Sequence, residues 1–227
     1  MKKLVDYSLF MVTHDTVTVP GILESVIHKA IRGGVTVILL RENDLQVSIR
    51  EVIAKATKIK ELLAGTSIPL IINDRVDIAL ASGADGVHIG QTDMPYADVR
   101  RLMGPDAIIG LTVENISYAI QAEKYDVDYF KVSQIFPSLT RPVNRPAWQL
   151  EGLERLRKIS KKTLVAVGGI TQYNVADVMS AGADGIAVVS AICHQPDPEN
   201  AACKLAMTIK QVKDLRCVVS VANREAL

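Results

Sequence analysis

Short apolar runs alternate along most of the chain with longer segments in which apolar residues recur every three or four positions. The runs have the buried, β-branched character of strands in a parallel sheet. The predicted strands cover residues 8–13, 35–40, 69–73, 86–89, 107–112, 128–133, 163–167 and 185–190. The predicted helices cover residues 22–31, 48–63, 75–81, 96–103, 115–124, 150–159, 172–180 and 199–212.

The regular succession of these units predicts the fold class. Eight strand–helix units of similar length favour an α/β fold of the single-domain (βα)8 TIM-barrel type, with a doubly wound open sheet as the structural rival. No linker or low-complexity segment divides residues 1–227, so we assign one domain, with a barrel over about 7–213 and an apolar C-terminal tail over 214–227. A near-repeat, Gly-Ala-Asp-Gly at 83–86 and again at 182–185, marks equivalent helix-to-strand turns and predicts a structural role.

Composition excludes several function classes. The 26 Lys and Arg residues nearly balance the 25 Asp and Glu residues, for a net charge of +1, so no overall field attracts nucleic acid or an acidic membrane. No apolar run has membrane-spanning length, and the N-terminus lacks the pattern of a signal peptide. Cys193, Cys203 and Cys217 are odd in number and lack metal spacing, which indicates reduced thiols in a cytoplasmic protein.

Polar residues at the ends of the predicted strands are the candidate chemistry, because the active site of this fold lies there. Asn73 and Asp74 follow one strand, and Gln91 and Asp93 follow the next. Two carboxylates at one rim suit Mg²⁺, which takes hard oxygen ligands and shares them with phosphates. Ordinary loop caps are the alternative for these aspartates.

Other strand ends indicate an anionic substrate. Gly168-Gly169 can expose backbone N–H groups to a phosphate, and Val189 and Ser190 lie at the eighth strand. Arg41 emerges from a buried strand, where a guanidinium needs an anion. The long sixth loop carries hydroxyls and arginines that are typical of a binding loop. His88 alternates with apolar neighbours, so we interpret it as a hydrogen-bonded core histidine.

At this point the chain resembles the thiamine phosphate synthase family over most of its length. The resemblance is carried by ordered motifs: Asn-Asp-Arg-Val-Asp at 73–77, the 86–95 segment, Ile-Phe at 135–136 before the 138–141 loop, Leu-Glu-Gly-Leu at 150–153 and Val-Gly-Gly-Ile at 167–170. The family joins a hydroxymethylpyrimidine pyrophosphate to a thiazole phosphate and releases pyrophosphate. The resemblance therefore implies a Mg²⁺-dependent, dissociative transferase whose partners are small phosphorylated substrates. The apolar tail is compatible with a homo-oligomer.

The resemblance also implies roles for individual residues. Asp74 and Asp93 would hold Mg²⁺. The residues assigned to catalysis are Arg41, Asn73 and Arg141. The pyrimidine pyrophosphate side would comprise Leu39, Arg41, Asn43, Asn73, Thr112 and Arg141, and the thiazole phosphate side would comprise Ser138, Thr140, Gly168, Val189 and Ser190.

Several of these positions depart from the family pattern. Leu39 replaces a glutamine, Asn43 and Arg141 replace lysines, and Lys131 and Gln134 replace a glycine and a proline. The departures predict reduced activity and keep three hypotheses open: a working synthase, an isomerase similar to the thiazole tautomerase, and a non-catalytic barrel that binds a thiamine precursor. We also predict that Asn43→Lys raises turnover by restoring a cation beside pyrophosphate.

Overall fold

The structure, a computed structural model, describes residues 4–13, 21–138 and 146–225, with side chains as far as residue 218. Within these residues the chain forms eight strands and nine helices. The strands are β1 (Leu9–Val12), β2 (Val37–Leu40), β3 (Leu70–Asn73), β4 (Gly86–Ile89), β5 (Ile108–Val113), β6 (Tyr129–Ser133), β7 (Leu164–Val167) and β8 (Gly185–Val188). The helices are α1 (Ile22–Arg32), α2 (Ile49–Leu62), α3 (Val76–Ser82), α4 (Tyr96–Met103), α5 (Ile116–Ala122), α6 (Gln149–Ile159), α7 (Val175–Ser180), α8 (Ser190–Cys193) and α9 (Pro198–Glu225).

All the strands are parallel and pair in chain order, and β8 closes the barrel onto β1 with Phe10 opposite Ala187. The predicted TIM barrel is therefore confirmed. Among the boundaries that differ from the prediction, two bear on the site and the tail. Strand β8 ends at Val188, so Ser190 begins the short helix α8, and α9 runs on to Glu225, so the segment set apart as a tail from residue 214 is helical that far. No helix in the described part of the chain is both long and apolar enough to cross a membrane.

Side-chain alternation divides the buried residues into two clusters. On β6, Tyr129 belongs to the cluster inside the barrel, whereas Phe130 and Val132 belong to the cluster between the sheet and the helices. Successive side chains of a strand point to opposite faces, so Lys131 and Ser133 must point inward with Tyr129. The same alternation on β5 directs Thr112 inward, because Leu111 and Val113 pack against the helices.

A recurring contact secures the end of the barrel where the strands begin. The residue before each even-numbered strand accepts, through a side-chain oxygen, a hydrogen bond from an N–H group at the start of the preceding strand. The pairs are Thr36 with Leu9 (3.0 Å), Asp85 with Leu70 (2.8 Å), Asp128 with Ile109 (2.8 Å) and Asp184 with Leu164 (2.8 Å).

Helix cations pair with the aspartates of this set. The Lys60 ammonium on α2 is 2.6 Å from Asp85, and the Arg157 guanidinium on α6 is 2.9 Å from Asp184. Asp85 and Asp184 are the aspartates of the two Gly-Ala-Asp-Gly segments. The structural role predicted for that near-repeat is therefore confirmed.

Candidate active site

A cavity of about 450 Å³ opens at the carboxyl ends of the strands. Its wall contains most of the residues predicted from the strand ends. They are Arg41, Asn73, Asp74, Asp93, Thr112, Ser138, Gly168, Val189 and Ser190. Thr140 and Arg141 lie outside the described residues. Because the members of the set come from distant parts of the sequence, the barrel itself brings them to one cavity.

Leu39 is a correction to the predicted set. Its side chain has no exposed surface and belongs to the cluster inside the barrel, beneath the cavity. A leucine buried at this level does not reach a substrate in the cavity. We therefore remove Leu39 from the candidate binding residues, and Arg41, two residues later and just after β2, lies at the level of the cavity.

The two candidate metal ligands line the cavity from neighbouring strand ends. Asp74 follows β3 with a positive φ of 65°, and its N–H donates to the carbonyl of His88 on β4 at 2.8 Å. Asp93 folds back toward β4, where its Oδ2 accepts a hydrogen bond from the Gly90 N–H at 2.6 Å. Backbone contacts thus hold both acidic loops against the same strand.

Arg41 is positioned by contacts at both ends. The Thr13 hydroxyl accepts from the Arg41 N–H at 2.9 Å and donates to the Arg41 carbonyl at 3.0 Å, which ties the β2 end to the β1 end. The guanidinium Nε donates to Asn43 Oδ1 at 3.0 Å. Asn43 is not part of the cavity wall, so its contact with the site passes through Arg41.

Thr112 lines the floor of the cavity and contacts a buried polar and aromatic group. His88 is 1% exposed, and its Nε2 lies 2.8 Å from the Thr112 hydroxyl, which confirms the prediction of a hydrogen-bonded core histidine. The Tyr129 ring stacks on His88 with centroids 5.6 Å apart. Burial raises the pKa of Tyr129 well above its usual value, so the phenol stays protonated at neutral pH. The His88 contact positions the Thr112 hydroxyl at the cavity wall.

The opposite side of the cavity is built from glycine backbone and hydroxyls. Gly168 and Gly169 follow β7 with φ values of 103° and 63°. The Asn174 side chain holds this turn by donating to the Gly169 carbonyl at 2.9 Å and accepting from the Thr171 N–H at 2.8 Å. Exposed N–H groups at such a turn are suited to binding an anion.

Charged residues that the sequence analysis did not assign to the site also line the cavity. They are Glu114, just after β5, and Lys131 on β6. The sequence offered one signal for such residues, namely a charged residue at an inward position of a predicted barrel strand. Lys131 was noted as a departure from the family pattern, and its place in the wall follows from the alternation along β6.

A closed parallel barrel with a charged cavity at the carboxyl ends of its strands is typical of a TIM-barrel enzyme. The family model described as thiamine monophosphate synthase matches residues 9–192. The chain therefore belongs to the thiamine monophosphate synthase family.

Individual relatives agree with this assignment. The chain is 45% identical over 206 residues to thiamine-phosphate synthase of Albidiferax ferrireducens, covering 91% of each protein. It is 42% identical over 224 residues to the enzyme of the same name from Chloroflexus aurantiacus, covering 99% of this chain and 98% of the relative.

Solved structures give the same result. The thiamine phosphate pyrophosphorylase of Pyrococcus furiosus superposes with a TM-score of 0.80 at 31% identity, covering 91% of this chain and 97% of that one. The 3-hexulose-6-phosphate synthase of Salmonella typhimurium, at 19% identity and a TM-score of 0.69, shares the fold.

The protein is thus a transferase of thiamine biosynthesis. It condenses 4-amino-2-methyl-5-hydroxymethylpyrimidine pyrophosphate with a thiazole phosphate, giving thiamine phosphate and pyrophosphate. The first of the three hypotheses left open by the sequence is the one that these relatives support.

Proposed function

We propose that the condensation depends on Mg²⁺ held by Asp74 and Asp93, with pyrophosphate bound beside Arg41 and Asn73 and the thiazole phosphate bound opposite. The supporting observation is the division of the cavity wall. Carboxylates, an amide and a guanidinium lie at the ends of β2, β3 and β4, whereas glycine backbone and Ser190 lie at the ends of β7 and β8.

The donor set suits this metal. Mg²⁺ in proteins is held through one or two carboxylates, and waters and substrate phosphates complete its coordination. Asp74 and Asp93 supply that pair from adjacent loops, both of which line the cavity. When bound, the ion neutralises negative charge that develops on the departing pyrophosphate.

The residues of the chain would then act on the pyrophosphate, the thiazole phosphate and the carbon at which the bond breaks. Arg41 and Asn73 stabilise the leaving pyrophosphate as the carbon–oxygen bond breaks, in the manner of preorganised donors facing developing charge. Ser138, Gly168, Val189 and Ser190 hold the thiazole phosphate so that its ring nitrogen faces that carbon. Thr112 supports the pyrimidine from below. The roles of Thr140 and Arg141 in the sixth loop stay predictions.

The direct test is turnover with both substrates. We expect purified protein with Mg²⁺ to form thiamine phosphate, excess EDTA to abolish the product, and added Mg²⁺ to restore it. Pyrophosphate release, measured by a coupled assay, should match thiamine phosphate in amount. Product formation that persists unchanged in EDTA would contradict the metal proposal, and absence of product with every divalent ion would contradict the condensation itself.

The structure changes the expectation for Asn43→Lys. Asn43 accepts from the Arg41 guanidinium, so a lysine there removes an acceptor and places a second cation beside the first. We now expect kcat to fall by about 10- to 100-fold, as for the loss of one hydrogen bond to a charged group.

A comparison variant separates the two explanations. Asn43→Ala removes the acceptor without adding charge, so it should also lower kcat if Asn43 positions Arg41. A higher kcat for Asn43→Lys together with an unchanged kcat for Asn43→Ala would support the original expectation from the sequence.

We also propose that the enzyme is cytoplasmic. Its cysteine pattern supports reduced thiols, and burial raises the pKa of the Cys193 thiol to about 12, so that thiol stays protonated and unreactive at neutral pH. The near-zero net charge supports the absence of a nucleic-acid partner. A homo-oligomer stays a prediction, which sedimentation equilibrium of the full chain would test.

A further inference from the structure

We propose that Lys131 and Glu114 form the recognition edge for the aminopyrimidine ring, a role that rests on the condensation proposed above. Lys131 donates to a ring nitrogen, and the Glu114 carboxylate accepts from the exocyclic amino group. Both residues line the cavity, Lys131 on β6 and Glu114 just after β5, away from the metal ligands and the glycine turn.

The direction of Lys131 follows from its register. Its Cα is paired with that of Thr112 on β5, whose side chain is in the cavity floor. Tyr129, two residues earlier, is inside the barrel, and Phe130 and Val132 pack against the helices. The ammonium is therefore carried on an inward side chain, one strand away from Thr112 and at the same level.

Glu114 has the corresponding place on the neighbouring strand. It comes two residues after Thr112, and the intervening Val113 packs against the helices, so the alternation of β5 directs Glu114 inward above Thr112. Since the register pairs Val113 with Val132, Glu114 lies diagonally across from Lys131. One wall thus presents a donor and an acceptor side by side.

The position of this wall indicates what it binds. Pyrophosphate belongs to the side formed by β2, β3 and β4, and the thiazole phosphate belongs to β7 and β8. On one side of the closed barrel, β5 and β6 lie between these two binding sides, and Thr112 on β5 is where we place the pyrimidine ring. A 4-aminopyrimidine offers a ring nitrogen acceptor next to an amino donor, which complements the Lys131–Glu114 edge.

Leu39, buried inside the barrel, supplies no polar group to such a ring. The family resemblance places a glutamine at that position, and this chain has a buried leucine that does not reach the cavity. A hydrogen-bonding ring held without matched polar partners binds poorly, because its donors and acceptors lose water without replacement. Lys131, which replaces a family glycine, supplies a polar group from another strand.

The test is calorimetric binding of three ligands with Mg²⁺: the aminopyrimidine pyrophosphate, its 4-oxo analogue and inorganic pyrophosphate. We expect Lys131→Met to weaken aminopyrimidine binding by about 10- to 100-fold, the usual effect of losing a charge-assisted hydrogen bond, and to change pyrophosphate binding less than twofold. Lys131→Arg should retain most of the affinity. Lys158→Met, on the exposed face of α6, is the matched control and should bind as wild type.

Glu114→Gln tests the other half of the edge. A glutamine amide can donate as well as accept, so this variant should bind the amino compound more weakly and lose most of the preference for amino over oxo. Wild-type affinity for the amino compound in both Lys131→Met and Glu114→Gln would overturn the inference. Equal losses for pyrophosphate and for the pyrimidine in Lys131→Met would also overturn it, because they would make Lys131 a phosphate ligand.

These outcomes are separable from failure of the proposed function. A wild-type protein that binds the aminopyrimidine through this edge but forms no thiamine phosphate would overturn the condensation and support the edge. A wild-type protein that forms thiamine phosphate, with variants that bind and turn over as wild type, would overturn the edge alone.

Discussion

Replacing Asp93 with asparagine is expected to lower kcat for thiamine phosphate formation by about 100- to 1,000-fold. The asparagine oxygen can still accept from the Gly90 N–H, so the loop keeps its contact and only the charge is lost. Removing one preorganised electrostatic contact from a transition state typically costs ~3–4 kcal/mol, which corresponds to that range. Initial rates over a series of Mg²⁺ concentrations measure the effect.

The Mg²⁺ series also identifies the cause. Weaker metal binding should shift half-saturation of the rate to higher Mg²⁺ concentration in the variant. Asp98→Asn is the control, because Asp98 lies on α4 and accepts from Arg101 in an exposed pair. A variant at position 93 with wild-type rate and wild-type Mg²⁺ dependence would remove Asp93 from the metal site.

Gly169→Ala is expected to raise KM for the thiazole phosphate by about 10-fold or more. A Cβ at this position would lie 2.7 Å from Phe136 Cβ and 2.7 Å from the Pro137 carbonyl oxygen. The sixth loop would have to move away from β7, and Ser138 would move with it. Displacing one charge-assisted phosphate contact costs roughly tenfold in binding or more. Steady-state kinetics with each substrate varied in turn should show a smaller change in KM for the pyrimidine pyrophosphate.

The matched control for this variant is Gly83→Ala. Gly83 has a φ of 66°, nearly that of Gly169 at 63°, but a Cβ there would have no neighbour within 4 Å. Both variants should lose ~1–2 kcal/mol of stability through left-handed backbone strain. Only Gly169→Ala should change KM for the thiazole phosphate. Equal values of this KM in the two variants would show that Gly169→Ala acts through backbone strain and not through displacement of the sixth loop.

Periodicity in the sequence was sufficient to predict the barrel. Buried parallel strands are nearly continuous apolar runs, and eight of them alternating with amphipathic helices leave few other architectures. The rule that active sites lie at the carboxyl ends of the strands then selected Arg41, Asn73, Asp74 and Asp93 together. These residues share one cavity wall because adjacent strand ends are neighbours in a closed sheet.

The sequence was less informative about depth and about indirect contacts. Leu39 and Arg41 are two residues apart, so alternation directs both side chains inward. Only the structure shows that Leu39 lies in the closed core whereas Arg41 lines the cavity. The Asn43 contact to Arg41 depends on the path of a loop, which periodicity does not describe. Lys131 was recognised in the sequence as a departure from the family pattern, but its proposed role depends on which strands are its neighbours in the barrel.

The contact that repeats before every second strand has a consequence for how such a chain can diversify. Each pair of strands is joined at the base of the barrel by one hydrogen bond to a side-chain oxygen, which comes from Thr36, Asp85, Asp128 or Asp184. Each of these contacts therefore lies within one pair of strands, far from the mouth of the barrel. A pair of strands exchanged with a homologue that keeps an oxygen at this position would retain its own base contact while it brings different residues to the cavity, so new specificity can be acquired one pair of strands at a time.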